Sequence, residues 1–190
     1  HIWNDDMKAK LVSYSQLATH PIFSIDDVSG NFDELQNLVA YCARVSNPSN
    51  QMNTETAEKL IRYLAKHKHW SPFEMVSVCL EIETTRDIAR QMLRHRSFSF
   101  QEFSQRYADP TKELEFVTRD ARLQDEKNRQ NSIPTDDEAL KQVWDTWQRN
   151  VCDQAQLAYK WAIDNGIAKE QARAVLPEGL TMSRMYMNGT

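Results

Sequence analysis

Arg94-His95-Arg96 is followed within ten residues by Ser97, Ser99, Gln101, Glu102, Ser104 and Arg106, and Arg86, Arg90 and Gln91 extend the cluster upstream. Guanidinium forks bind phosphate oxygens in bidentate pairs. Two or three of them beside serine hydroxyls make an anion site suited to a nucleotide phosphate. Glu102 among these cations could balance their charge, or accept hydrogen bonds from a ribose or base. The spacing puts Gln91, Arg94 and His95 on one helix face, while Arg94 and Arg96 point to different sides. A helix ending in Arg-His-Arg also complements its own macrodipole, by about 0.3–1 kcal/mol per cation. The hydroxyls, carboxylate and aromatic rings that follow favour a polar ligand, because they are costly to bury without partners.

Composition removes several other chemistries. The 190 residues contain only four glycines, Gly30, Gly166, Gly179 and Gly189. None is spaced for a dinucleotide fingerprint or a P-loop, so phosphate must be held by arginines and helix ends. Cys42, Cys79 and Cys152 lie far apart with no Cys-x-x-Cys, which argues against a disulfide framework or zinc knuckle. They are expected as buried small apolar groups in a reducing, cytoplasmic setting. His67 and His69, two apart at a helix end, do not share a face, and no third ligand stands at metal spacing, so no metal site is expected. The net charge of −4 (23 Lys and Arg against 27 Asp and Glu) weighs against a nucleic-acid coat or a polybasic membrane binder. The basic run with interleaved Phe and Tyr would nonetheless suit a single-stranded nucleic-acid module. A third reading is a structural relative that assembles but binds no ligand. No apolar stretch is long enough for a membrane span. The opening HIWNDDMKAK has no initiator Met and no signal-peptide pattern.

The elements that must position the cluster follow from periodicity. Residues 8–14 read as a strand. Asn31 or Asp33 caps a helix over 34–45, with Leu35, Leu38, Val39 and Cys42 at helical spacing. Thr54 caps a second helix, over 56–70, with Leu60, Ile61 and Leu64 inward. Residues 73–83 alternate as a half-buried strand, with Val76, Val78, Leu80 and Ile82 on one side. Thr84-Thr85 then caps a helix over 86–96, with Ile88, Ala89, Met92 and Leu93 inward. A loop enters a strand over 97–107. Residues 114–118 read as a short strand, and the charged segment to 135 as irregular surface chain. Residues 136–165 predict one long helix of about 42 Å, with Leu140, Trp144, Trp147, Val151, Ala155, Ala158 and Ala162 inward and Asn165-Gly166 as its C-cap. A short helix over 168–176 ends before Pro177, and the Met-rich 182–189 reads as core or subunit interface. The expectation is a single α+β domain over 1–190, with a small antiparallel-type sheet, a long central helix and packed helices. A helix that long in so small a domain implies an oligomer.

Residues 94–107, RHRSFSFQEFSQRY, resemble the signature of flavin-dependent thymidylate synthases in Arg94-His95-Arg96, Glu102, Ser104 and Arg106-Tyr107. Residues 66–74, KHKHWSPFE, resemble that family's His-x-x-(Ser/Thr)-Pro-Phe-Glu segment, and residues 170–177, EQARAVLP, its third block. The motif loop is more aromatic than usual at Phe98 and Phe100, Gln101 replaces a frequent Asn, and Trp70 stands where a smaller polar or acidic residue is common.

The resemblance implies reductive methylation of dUMP to dTMP, with methylenetetrahydrofolate and NADPH as co-substrates, FAD as carrier and no cysteine nucleophile. It implies a homotetramer with shared active sites. FAD contacts fall on Ser71, Arg94, His95, Arg96, Glu102 and His69, with Glu74 at the family's Glu after Pro-Phe. dUMP contacts fall on Gln91, Met92, Leu93 and Arg94, on Glu102, Phe103, Ser104, Gln105 and Arg106, and on Arg173. The family continues past the position of Thr190 with an arginine that polarises the uracil. No catalytic residue is therefore assigned within the chain, which is expected as given to turn over weakly or not at all.

Overall fold

The computed structural model describes residues 7–16 and 33–190. In chain order the elements are β1 (Lys8–Tyr14), α1 (Asp33–Ala43), α2 (Ala57–Lys66), β2 (Val78–Thr85), α3 (Arg86–Met92), β3 (Ser99–Glu102), α4 (Pro110–Glu113), β4 (Arg122–Gln124), β5 (Ser132–Pro134), α5 (Glu138–Asp164), α6 (Lys169–Ala172) and β6 (Met182–Gly189). Short 3-10 turns occupy Pro48–Asn50, Ser71–Met75 and Arg173–Val175. One sheet has the order β1-β2-β6-β3, and β4 and β5 form a separate antiparallel pair. This is the mixed helix-and-sheet class expected from the sequence. The described residues divide into two compact units, one of 7–10, 81–96 and 100–186, the other of 11–16, 33–80, 97–99 and 187–190.

The second unit is mainly helical. α1 packs on α2 and on the turn at Ser71–Met75, burying Val39, Ala40, Ala57 and Leu64. Buried Arg44 ties the connection together, donating to the Asn53 carbonyl and, at 2.8 Å, to Thr56 Oγ1. The cap of α2 is Thr56 rather than Thr54, and its side chain makes no capping bond. The helix stops at Lys66, short of the expected Trp70, because Lys68 turns left-handed at φ 57°. Lys68 N–H then bonds the Ala65 carbonyl at 3.2 Å and His69 N–H the Leu64 carbonyl at 2.9 Å, a Schellman closure that glycine more often makes. Residues 71–75 form a 3-10 turn, so β2 begins at Val78 instead of Phe73. The proposed caps of α1 lie outside what is described: Asn31 is among the undescribed residues, as is the side chain of Asp33. Cys42 and Cys79 are half-buried, and only Cys152, in the other unit, is buried as expected.

The first unit is organised by α5, which starts on Asp137, whose side chain accepts from Leu140 N–H at 3.0 Å. It ends at Asn165-Gly166 as predicted. Gly166 has φ 78°, its N–H bonds the Ile163 carbonyl, and Ile167 N–H bonds the Ala162 carbonyl. The buried face of α5 keeps Ala155 and Ala162 of the predicted one and departs from the rest of it. It is Gln148, Cys152, Ala155, Tyr159 and Ala162, whereas Leu140, Trp144, Trp147, Val151 and Ala158 are exposed, Trp147 at 63%. Both stripes have helical period and share Ala155 and Ala162; the single chain buries the one that carries Gln148, Cys152 and Tyr159 and leaves both tryptophans exposed. Tyr159 and Ala162 pack with Ala172, Leu176, Phe116 and Ile163.

The expected strand at 114–118 is reduced to one antiparallel bridge, Phe116 to Thr181. The ladder breaks on the facing side, where Leu180 N–H bonds the Pro177 carbonyl at 3.2 Å instead of Val117, and just past Thr118 the Gln148 amide accepts from Arg119 N–H at 2.8 Å and donates to the Arg119 carbonyl at 2.9 Å. The segment read as irregular is instead the β4–β5 hairpin. Its loop closes on Asp125, whose carboxylate accepts from Asn131 Nδ2 and from Lys127 and Asn128 N–H, bonds that hold its pKa below the usual value. The Met-rich stretch is β6, between β2 and β3, with Ser183 and Met185 fully buried.

Candidate functional site

α3 sits where strand β2 ends, and its seven residues are held at both ends by backbone. Arg86 N–H bonds the Thr181 carbonyl at 3.0 Å and Asp87 N–H the Glu178 carbonyl at 3.2 Å. Leu93 is the C-cap, and Arg94 and His95 N–H turn back to the Gln91 and Met92 carbonyls. Arg94 and His95 therefore lie past the helix end and off the helix face they were expected to share with Gln91, and Arg96 follows them in the turn. All three are exposed, as is Gln91; Met92 and Leu93 are half-buried.

β3 delivers Glu102 into a charged ring. Its Oε1 lies 3.7 Å from Arg86 Nη1 and accepts from Ser183 Oγ at 3.0 Å, and its Oε2 lies 3.7 Å from Arg90 Nη1. Arg86 is 3% exposed. Its Nε donates to Glu178 Oε1 at 3.1 Å, while Arg90 Nε lies 3.9 Å from Glu178 Oε2. Beside this ring, Arg119 donates to Thr85 Oγ1 at 2.8 Å, Asp87 Oδ1 at 2.7 Å and the Gly179 carbonyl at 3.0 Å. Thus Glu102 balances Arg86 and Arg90, one of the two roles open to it from sequence. Glu178, Ser183 and Arg119 were not singled out by sequence reasoning. They lie 92, 81 and 34 residues from their partners Arg86, Glu102 and Thr85, and no local pattern announces such pairs.

After Glu102 the chain turns. Tyr107 and Ala108 N–H both bond the Ser104 carbonyl at 3.1 Å. Phe103 and Ser104 are half-buried. Gln105 is 3% exposed, and its Nε2 has no hydrogen-bond partner among the described residues. Arg106 points outward, its Cζ 5.6 Å from the Tyr107 ring centroid. Arg173 follows α6, half-buried, with its Nε donating to the Glu170 carbonyl at 3.1 Å. Among the described residues Arg94, Arg96, Arg106 and Arg173 make no ion pair. All four belong to one unit. Unneutralised guanidiniums and a buried amide donor fit an anionic, hydrogen-bonding group such as a nucleotide or a flavin nucleotide.

His69 and Ser71 belong to the other unit. His69 lies edge-on to Tyr63 at 6.3 Å, and Ser71 opens the 3-10 turn ahead of Pro72. Glu74 lies in that same turn. Trp70 is 56% exposed and tilts on Phe73 at 6.0 Å. Among the described residues no three His, Cys, Asp or Glu side chains gather as a metal site.

Residues 30–190 match the family described as Thymidylate synthase complementing protein. The chain is 47% identical over 184 residues to the Paramecium bursaria Chlorella virus 1 protein named "Probable flavin-dependent thymidylate synthase", covering 97% of this chain and 79% of that one. It is 48% identical over 155 residues to the flavin-dependent thymidylate synthase of Synechocystis sp., covering 82% and 69% respectively. Its fold is similar to the UMP/dUMP methylase PolB of Streptomyces cacaoi, whose crystal structure holds 5-Br dUMP. There the TM-score is 0.75 at 26% identity, covering 98% of this chain and 74% of that one.

Proposed function

The chain belongs to the thymidylate synthase complementing protein family, and from that premise we propose that it converts dUMP to dTMP, with FAD as bound carrier and methylenetetrahydrofolate and NADPH as co-substrates. It is a methyltransferase. The observation that carries the reading is the division of charge in one unit. Glu102 is matched by Arg86 and Arg90, while Arg94, Arg96, Arg106 and Arg173 make no ion pair among the described residues and keep their charge for phosphate.

In this reading Arg94, Arg106 and Arg173 hold the dUMP phosphate and sugar. Gln91, Met92, Leu93, Phe103, Ser104 and Gln105 line the nucleotide, with Gln105 Nε2 as a donor that has no partner among the described residues. Glu102 accepts from the nucleotide and borders the cofactor. Arg94, His95 and Arg96 in one unit would contact FAD, and His69 and Ser71 in the other are each proposed as FAD contacts in their own right. Bound flavin supplies the redox and one-carbon carrier chemistry. The chain's residues bind, orient and place positive charge near the uracil.

No protein thiol is needed as nucleophile. Burial pushes the Cys152 thiol up, keeping it protonated near neutral pH and inert. Cys79→Ala and Cys152→Ala are expected to retain dUMP methylation in the full-length protein, with Cys152→Ala losing about 1 kcal/mol of stability. A folded variant with no product, by chromatography of dTMP, would contradict the nucleophile-free mechanism.

We read 1–190 as one catalytic domain, supported by a family match that runs through both units. A homotetramer is supported by the exposed α5 face of Leu140, Val143, Trp144, Trp147 and Val151. Among the described residues no helix is long and apolar enough to cross a membrane.

The test is the visible absorbance of the full-length protein after incubation with FAD, then with dUMP. A flavin spectrum that shifts on adding dUMP supports both ligands in one site. A folded protein that takes up no flavin, and binds RNA or DNA with strong salt dependence, would replace this reading with the nucleic-acid one.

A further inference from the structure

We infer that Arg86 and Glu178 are positioning residues for the nucleotide: with Arg90 they close a ring that fixes the Glu102 carboxylate and joins the Arg173 segment to it. The inference rests on the dUMP reading above.

Arg86 and Arg90 are four apart on α3 and share a face. Each lies between the same two carboxylates. Arg86 reaches Glu102 through Nη1 and Glu178 through Nε, and Arg90 does the same, at an equal 3.7 Å from Glu102 and at 3.9 Å instead of 3.1 Å from Glu178. Two cations and two anions give a ring of zero net charge. Without Glu178, Glu102 alone would face two guanidiniums, and it would be drawn toward them and away from a ligand. With Glu178 present, Glu102 has partners at both oxygens, Arg86 and Ser183 at Oε1 and Arg90 at Oε2. Such tethers fix a carboxylate's orientation and so its acceptor directions.

The backbone makes Glu178 a rigid partner. Its carbonyl accepts from Asp87 N–H, Thr181 Oγ1 donates to the Pro177 carbonyl at 2.7 Å, and Arg119 holds the Gly179 carbonyl. Arg173 lies five positions before Glu178. The segments carrying Glu102 and Arg173 are far apart in sequence, and the ring sets their spacing. A neutral ring also adds no net positive charge that would compete with Arg94, Arg106 and Arg173 for the phosphate.

The experiment uses the full-length, flavin-loaded protein and Glu178→Gln, whose side chain is 53% exposed. Arg86→Lys is the second variant, keeping the charge but not a fork that can span two carboxylates. dUMP is titrated by calorimetry and by the shift it causes in the flavin spectrum, with melting curves as the control for folding. Both variants are expected to melt as folded proteins and to bind dUMP about tenfold more weakly. Loss of orientation of about 1 Å can cost up to roughly a hundredfold in rate, so kcat should fall together with affinity. A purely structural ring would move the melting curve and leave dUMP affinity and the spectral shift of the folded protein unchanged. Folded variants that bind dUMP within twofold of the parent overturn the inference alone. A flavin-loaded parent that binds no dUMP overturns the functional reading and this inference with it.

Discussion

Arg106→Ala is expected to weaken dUMP binding about thirtyfold while leaving FAD binding within about threefold. A charge-assisted hydrogen bond to phosphate contributes roughly 2 kcal/mol, which corresponds to that factor. The structure isolates the effect well. The Arg106 guanidinium has no carboxylate partner among the described residues, so its removal strands no acid. The turn that carries it is closed by Tyr107 and Ala108 N–H on the Ser104 carbonyl, bonds that do not involve the side chain. Its stacking on Tyr107 already orders the guanidinium, so little entropy is recovered when it is lost. Arg106→Lys keeps the charge without the fork and should fall between the two. Calorimetric titration of each ligand into the folded variant reads this directly. Equal losses for dUMP and FAD would remove Arg106 from the nucleotide and make it a general contributor to the site.

The residues whose partners stand near them in sequence were the legible ones. Residues 94–107 carry their cations, hydroxyls and carboxylate in one contiguous block, and the long helix announces itself through period and a Gly166 cap. What could not be read depends on contacts between distant segments. The choice of buried face on α5 is one case, because the stripe with Trp144 and Trp147 and the stripe with Cys152 and Tyr159 have the same period and share Ala155 and Ala162. The truncated strand at 114–118 is another, since the facing Leu180 N–H, far along the chain, bonds the Pro177 carbonyl instead of Val117. The early stop of α2 is a third. It comes from a lysine in a left-handed turn, where sequence preference points to glycine. At the site the same rule holds: Arg86, Arg90 and Glu102 stood out as a cluster, but the Glu178 that balances them did not.

Arg86→Met is expected to cost about 3–5 kcal/mol of stability, the range for removing one partner of a buried pair, and to lower the melting temperature by on the order of 10 °C for a chain of this size. Arg86 is 4% exposed at the side chain and Glu102 15%, so water cannot take over the role of the lost cation. Two carboxylates would then share Arg90, which lies 3.7 Å from one and 3.9 Å from the other. Glu102 would keep its Ser183 bond but lose the buried cation that offsets its desolvation. The methionine fills most of the arginine's apolar volume, so the loss reads the charge and not a cavity. Glu178→Gln should cost far less, because the Glu178 side chain is 53% exposed and solvent screens it. The decisive comparison is Arg86→Met combined with Glu102→Gln. Removing the buried anion together with the cation should recover about 1–3 kcal/mol relative to the sum of the single losses. Strict additivity in denaturant melts would mean that Arg86 stabilises the fold through its packing, and that the ring's charges are not coupled.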